Sequence, residues 1–153
     1  MNLANPNNLQ LPSHIDPAKL QAAIDHWAHG HCPLTGQDLI DASHKTGVQV
    51  DLMLAQMVQE CSAGNCSPNS RPFVTKNLWD VGNVDNGNNH QMADFHTGLN
   101  AYCHLMATSY GTTAEQVCGR GFVNQHNSGH YASDPTYSAK IWSLVLAIRA
   151  LLQ

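Results

Sequence analysis

Apolar residues recur at helical spacing through most of the chain, and one stretch breaks the pattern. Leu20, Ile24 and Trp27 follow Asp16-Pro17, a side-chain acceptor before a proline at the first helical position, and predict a helix that stops near Gly30. Thr35-Gly-Gln-Asp38 reads as a capping box with Asp in place of the usual Glu. The helix it opens should reach His44 or Lys45 and stop at Gly47. Val50 to Cys61 carries Met53, Met57 and Val58 on a helical stripe ended by Gly64-Asn65. Helical pattern returns from Asp94 to Tyr110, with Gly111 after it, and Thr112-Thr-Ala-Glu115 caps a short helix ending at Gly119. Asp134-Pro135 repeats the first start signal, and Tyr137, Ile141, Leu144, Val145, Ile148 and Leu152 give the last helix a wide apolar face.

Residues 62–92 are different. They hold Pro68, Pro72, Gly82, Gly87 and many asparagines, with only Phe73-Val-Thr75 and Leu78-Trp79 as short β-prone pieces. They predict a loop and a small hairpin with Asn86-Gly87 at its turn. The outline is mainly α: six helices and one irregular lobe. Residues 1–14 read as a polar, flexible lead, and residues 15–153 as a single domain without internal repeats.

The 153 residues suit one hydrophobic core, and 42% apolar with 12% charged residues excludes a largely disordered chain. A net charge of -4 argues against nucleic acid, whose binding needs a basic face, and against an anionic membrane surface. No apolar run approaches the ~20 residues of a membrane span. The longest, Ile141 to Leu152, contains Trp142, Ser143 and Arg149. Met1 to Leu11 shows neither the basic nor the apolar part of a secretory signal, so any extracytoplasmic action implies delivery by a secretion apparatus or a phage.

Five cysteines leave at least one outside any intrachain pairing. Cys61 and Cys66 bracket a short loop, and Cys103 and Cys118 lie in neighbouring helical segments. Either pair is a disulfide candidate, with burial as thiols the alternative. Among ten histidines, only His29-Gly-His31-Cys32 is a tight cluster, and it lacks the paired spacing of a structural zinc site. No metal and no other cofactor is expected.

Glu60 stands out. It continues the stripe of Met53 and Met57 and sits in the last turn of its helix. The partial negative charge at a helix C-terminus disfavours a carboxylate, and burial pushes the same way. A carboxyl group that keeps its proton near neutral pH is what glycosidic cleavage requires of a general acid. The alternative is a surface Glu paired with a lysine. A glycosidase usually places a second group across the bond. Asp80, Asp85 and Asp94 are available, and Asp85, in Asn83-Val-Asp-Asn-Gly87 at the expected hairpin tip, ranks first, with Asp94 next. Asp before Asn-Gly is also ordinary turn chemistry. Trp79 either stacks on a sugar or packs in the lobe.

Several segments, in order, resemble the glucosaminidase family of peptidoglycan hydrolases, which includes the flagellar rod-cap muramidase and many autolysins. Leu54-Ala-Gln-Met-Val-Gln-Glu60 resembles its catalytic helix, and Asn77-Leu-Trp79 its Asn-Leu-Phe signature. Gly98-Leu-Asn-Ala-Tyr102 resembles the helix after the lobe, Tyr131-Ala-Ser-Asp-Pro-Thr-Tyr137 its Tyr-Ala-Thr-Asp-Pro-Asn-Tyr segment, and Pro33 to Ile40 its lead-in helix. The resemblance implies a lysozyme-like helical fold with a small β-hairpin lobe, and cleavage of β-1,4 bonds between N-acetylglucosamine and N-acetylmuramic acid. It implies Glu60 as general acid and Tyr131 as an active-site tyrosine, with Asp85 the substitute for a second acid. Asn77, Trp79 and Tyr137 are the candidates for substrate contact.

Two features depart from the family. Cys61-Ser-Ala-Gly64 stands where it has Ser-Gly-Trp-Gly, and its second Glu is absent. That absence leaves assistance by the sugar's own acetamido group as another route. Rival readings are a lytic transglycosylase or muramidase on the same fold, a phage lysin, and an inactive wall-binding module. The expected partners are peptidoglycan strands and, for an injected antibacterial toxin, an inhibitor seated at the cleft. The chain itself is expected to be a monomer.

Overall fold

Start and stop signals in the sequence place most of the helices. A computed structural model describes residues 9–65, 67–82 and 90–153. Helix α1 spans Pro17–Ala28, with Asp16 accepting from the Ala18 N–H at 2.8 Å and left-handed His29 closing it. Helix α2, Gly36–Thr46, carries both halves of the Thr35/Asp38 capping box and ends at Gly47. A Cβ at Gly36 would meet the Pro17 carbonyl at 2.8 Å, so glycine lets α1 and α2 approach closely.

Helix α3, Val50–Cys61, is the axis of the molecule: every residue from Val50 to Met57 is buried, and α7 (Tyr137–Leu152) packs along it. Helix α5, Phe95–Leu105, is capped by Asp94 and continues through a wider turn, Met106–Tyr110, closed by the Gly111 N–H on the Met106 carbonyl at 2.8 Å. Thr113 caps the short α6, Ala114–Gly119.

The irregular lobe differs from its sequence reading. Arg71–Val74 forms one helical turn, α4, with Pro72 inside it. Thr75 Oγ1 donates back to the Arg71 carbonyl at 2.7 Å. Proline's fixed φ and this local bond outweigh the β preference of Phe73 and Val74. Leu78 and Trp79 lie in a turn and are wholly buried. The expected Asn86-Gly87 turn falls outside the described residues. Among the described residues the β pairing is a single antiparallel bridge, Val123 to His130, which closes the loop before α7. The mainly helical class expected from the sequence is observed.

Helix α7 starts two residues later than Asp134-Pro135 suggests. Asp134 accepts from the Thr136 N–H at 2.8 Å and from Lys140 Nζ at 2.7 Å, so it fastens the approach to the helix and does not cap it. Cys103 and Cys118 are separate buried thiols, and burial pushes them up to about 11 and about 12. Of the two alternatives for this pair, the bridge is therefore absent and the buried thiols are present. The Cys61–Cys66 pairing involves Cys66, which is outside the described residues.

Of the expected N-terminal lead, residues 1–8 also lie outside the described residues. From residue 9 onward the chain is held: Leu11 and Ile15 pack on the core, and the Leu9 carbonyl accepts from Arg149 Nη1 at 2.9 Å. Among the described residues no helix is long and apolar enough to cross a membrane.

Candidate active site

Glu60 occupies the last turn of α3 and is partly exposed. The chain leaves that turn through Ser62, Ala63 and Gly64, all left-handed, with φ of 52°, 55° and 93°. Two of the three are not glycine, and such backbone strain collects where a site must be held in one geometry.

Tyr137 is the first residue of α7, and its hydroxyl donates to Glu60 Oε1 at 2.7 Å. Behind it, the wholly buried Gln56, one turn before Glu60 on α3, donates from Nε2 to the Tyr137 hydroxyl at 3.1 Å. Gln56 Oε1 accepts from the buried Tyr102 hydroxyl at 2.6 Å. Tyr131 stacks on Tyr137 at 5.8 Å and donates its hydroxyl proton to the Trp79 carbonyl at 2.6 Å. Phe122 packs against both rings in a T-shaped arrangement. Phe122 and Tyr137 also line an open pocket of about 350 Å³ with His130 and Asp134.

The electrostatics favour a protonated acid. Burial holds Glu60 above the usual carboxyl range. Asp80 adds to that, while the Tyr137 hydrogen bond and Arg71 oppose it. Burial likewise raises Tyr102, Tyr131 and Tyr137, so all three keep their protons and serve as hydrogen-bond donors. Asp80 and Arg71 form an ion pair whose charges both reach Glu60.

The structure thus brings together Glu60, Tyr131 and Tyr137. The other expected site residues fare differently. Asp85 lies outside the described residues. Asp94 caps α5, accepting from the Thr97 N–H at 2.6 Å, and that bond lowers its pKa. Asp80, ranked behind both in the sequence, is the described lobe acid whose charge acts on Glu60.

Trp79 is 0% exposed, stacked on Tyr102 at 4.9 Å, with its indole N–H on the Met53 carbonyl at 2.9 Å. This corrects the sugar-stacking expectation, since neither ring face reaches solvent. Asn77 is equally buried: it accepts from the Val81 N–H at 3.0 Å and donates to the Val81 carbonyl at 2.9 Å, so it clasps the loop. Gly98 of α5 permits this packing, because a Cβ there would collide with the Lys76 carbonyl. Tyr137 is 6% exposed and spends its hydroxyl proton on Glu60, so its contact is with the acid.

Gln56 and Tyr102 were missed as site residues. Gln56 had a visible signal, a polar residue four before Glu60 on a buried helix. Among the described residues, no group of three His, Cys, Asp or Glu side chains is arranged to hold a metal ion.

No family model and no curated protein matches the chain. Among solved structures, it is similar to a peptidoglycan hydrolase mutant from Sphingomonas sp. A1. The TM-score is 0.55 at 17% identity, over 86% of this chain and 97% of that one. The two share a fold. The likeness spans nearly the whole of that chain, in keeping with the mainly helical architecture expected from the sequence.

Proposed function

We propose that the protein is a glycoside hydrolase acting on peptidoglycan strands, with Glu60 as its general acid. The observation that carries this reading is the carboxyl group itself: half-buried at a helix end, raised by burial, and hydrogen-bonded by a tyrosine in place of a cation. The shared fold with a protein named a peptidoglycan hydrolase supports the substrate class. The Tyr131 to Tyr137 segment, through its family resemblance, supports the narrower reading of an N-acetylglucosaminidase.

In this reading Glu60 protonates the leaving oxygen as the glycosidic bond breaks, and Tyr131 and Tyr137 form the wall that fixes the acid. Asp80 is the described carboxylate on the lobe side, but Arg71 holds it. That pairing favours, as a second reading, a lytic transglycosylase, which needs only one acid.

Wild-type protein and Glu60→Gln should be incubated with purified sacculi and the products identified by mass spectrometry. Fragments with N-acetylglucosamine at the reducing end, absent with the variant, support the glucosaminidase. Anhydromuramic ends support the transglycosylase. No release by the wild type overturns both.

A further inference from the structure

The acid and the three side chains behind it form one directed hydrogen-bond series, and its direction follows from proton counting. A tyrosine hydroxyl has one proton to give, and an amide has an acceptor end and a donor end. Tyr102 is wholly buried, and its hydroxyl gives its proton to Gln56 Oε1 at 2.6 Å. A reversed amide would aim N–H groups at that hydroxyl and take away this acceptor, at the cost of a buried polar group. Tyr102 therefore sets the amide, with Nε2 toward Tyr137 at 3.1 Å. Nε2 only donates, so the Tyr137 oxygen accepts there and its own proton goes to Glu60 Oε1 at 2.7 Å. The carbonyl oxygen of a protonated carboxyl group is its stronger acceptor, so Oε1, which receives this hydrogen bond, takes that role. The acid proton then belongs on Oε2.

We propose that Gln56 is a positioning residue. With its amide oriented by Tyr102, it turns the Tyr137 hydroxyl onto Glu60 Oε1 and so assigns the transferable proton to Oε2. Gln56 acts through Tyr137 and touches no substrate. The importance of this for turnover rests on the proposed role of Glu60, but the direction of the relay does not.

The chain has two glutamates, Glu60 and Glu115, one raised and one lowered, so their carboxyl ¹³C signals should titrate apart. This readout needs no activity. Donation by Tyr137 stabilises the Glu60 carboxylate, so losing it raises the Glu60 pKa. Tyr137→Phe, Gln56→Met and Tyr102→Phe should each move the Glu60 titration upward, by roughly half a unit to one unit for Tyr137→Phe. Gln56→Met in the Tyr137→Phe background should add nothing.

On sacculi, the same variants should lower the plateau rate by about 10-fold while the alkaline limb moves to higher pH. A loosened fold would not yield a slower enzyme that is also more fully protonated. Tyr102→Phe removes one oxygen from the far end of the series and covers the case in which Gln56→Met fails to fold. Additive shifts in the double variant, or an unmoved Glu60 titration in folded Tyr102→Phe, would overturn the proposal. An inactive wild type with the predicted titrations would overturn the functional reading and leave the relay standing.

Discussion

Helices α3 and α7 meet at two buried polar clusters, one near each end, and the clusters are built on opposite principles. Near the α3 N-terminus, Asp51 is 0% exposed and receives Arg149 Nε at 2.6 Å; Nη1 of the same guanidinium reaches Glu115 at 2.6 Å. Both carboxyl groups there meet the one guanidinium, although burial outweighs Arg149 at Asp51 and still holds it above the usual carboxyl range. At the other end Glu60 receives a neutral hydroxyl, backed by a neutral amide and a second hydroxyl. Both clusters join the same two helices, so position does not separate them. The difference is what each carboxyl group is asked to do. A partner cation fixes a charge in place, whereas a neutral donor orients the acid and leaves its proton available.

The largest effect should come from breaking the ion cluster. Arg149→Met leaves Asp51 buried without its cation, which costs about 3–5 kcal/mol. Thermal unfolding should fall by on the order of 10 °C. Replacing the pair together, Asp51→Leu with Arg149→Met, should recover most of that loss, because it removes both charges from the interior. A single variant as stable as wild type would mean that the cluster does not hold the helices, and the contrast between the two ends would fail.

Glu60→Gln should do the opposite. Release of fragments from sacculi should drop at least ~100-fold, equivalent to about 2.7 kcal/mol in the barrier. Circular dichroism and unfolding should show no loss of structure. A variant that keeps a tenth or more of wild-type activity would move the acid role elsewhere.

The contrast also explains what was legible in the sequence. Helix limits are local: Asp16-Pro17, the Thr35/Asp38 box, Gly47 and Asp94 each act within a few residues, and all appear where expected. Glu60 was legible because a carboxylate on an apolar stripe conflicts with its surroundings. Asp51 sits on the same helix and conflicts as strongly, yet its partner is 98 residues away. No local pattern could tell the paired acid from the one left with a hydroxyl. Gln56 was unread for the same reason, its partners lying 46 and 81 residues off. Trp79 failed differently. An aromatic side chain in a polar lobe suits both sugar stacking and packing, and only the position of α5 decides. Asp134-Pro135 misled because Lys140 and Thr136 compete for the side chain that would have capped.

A smaller effect should appear with pH. Burial opposes ionisation of Glu115, but hydrogen bonding and charge from Arg149 outweigh it, and its folded pKa lies below the ordinary 4.5. A depressed carboxyl pKa contributes stability that is fully present above the unfolded value and is lost as pH falls through the folded one. Stability should therefore decline below about pH 4.5. Glu115→Gln should flatten that decline, at a cost near neutrality of about 1 kcal/mol or less, since the side chain is 37% exposed. Chemical denaturation at pH 7 and pH 3.5 measures both. An unchanged acid slope would remove Glu115 from the ionic end.

Glu60 carries the reverse sign. Its folded pKa is raised, so the folded state holds its proton over a pH window in which the unfolded chain has released it. Stability falls as pH rises through that window, so near neutrality Glu60 costs the fold free energy. Glu60→Gln removes that cost while keeping the acceptor for Tyr137. Its melting temperature at pH 7 should exceed wild type by on the order of 1–3 °C, and the gain should vanish below about pH 4.5, where both states are protonated. Glu115 at one end and Glu60 at the other would then answer substitution with opposite signs: neutralising Glu115 loosens the protein, and neutralising the acid held by a hydroxyl tightens it. A stabilised, inactive Glu60→Gln is the result expected if the fold gives up stability to keep a protonated carboxyl group in place. A destabilised one would mean that Glu60 is a structural acid after all.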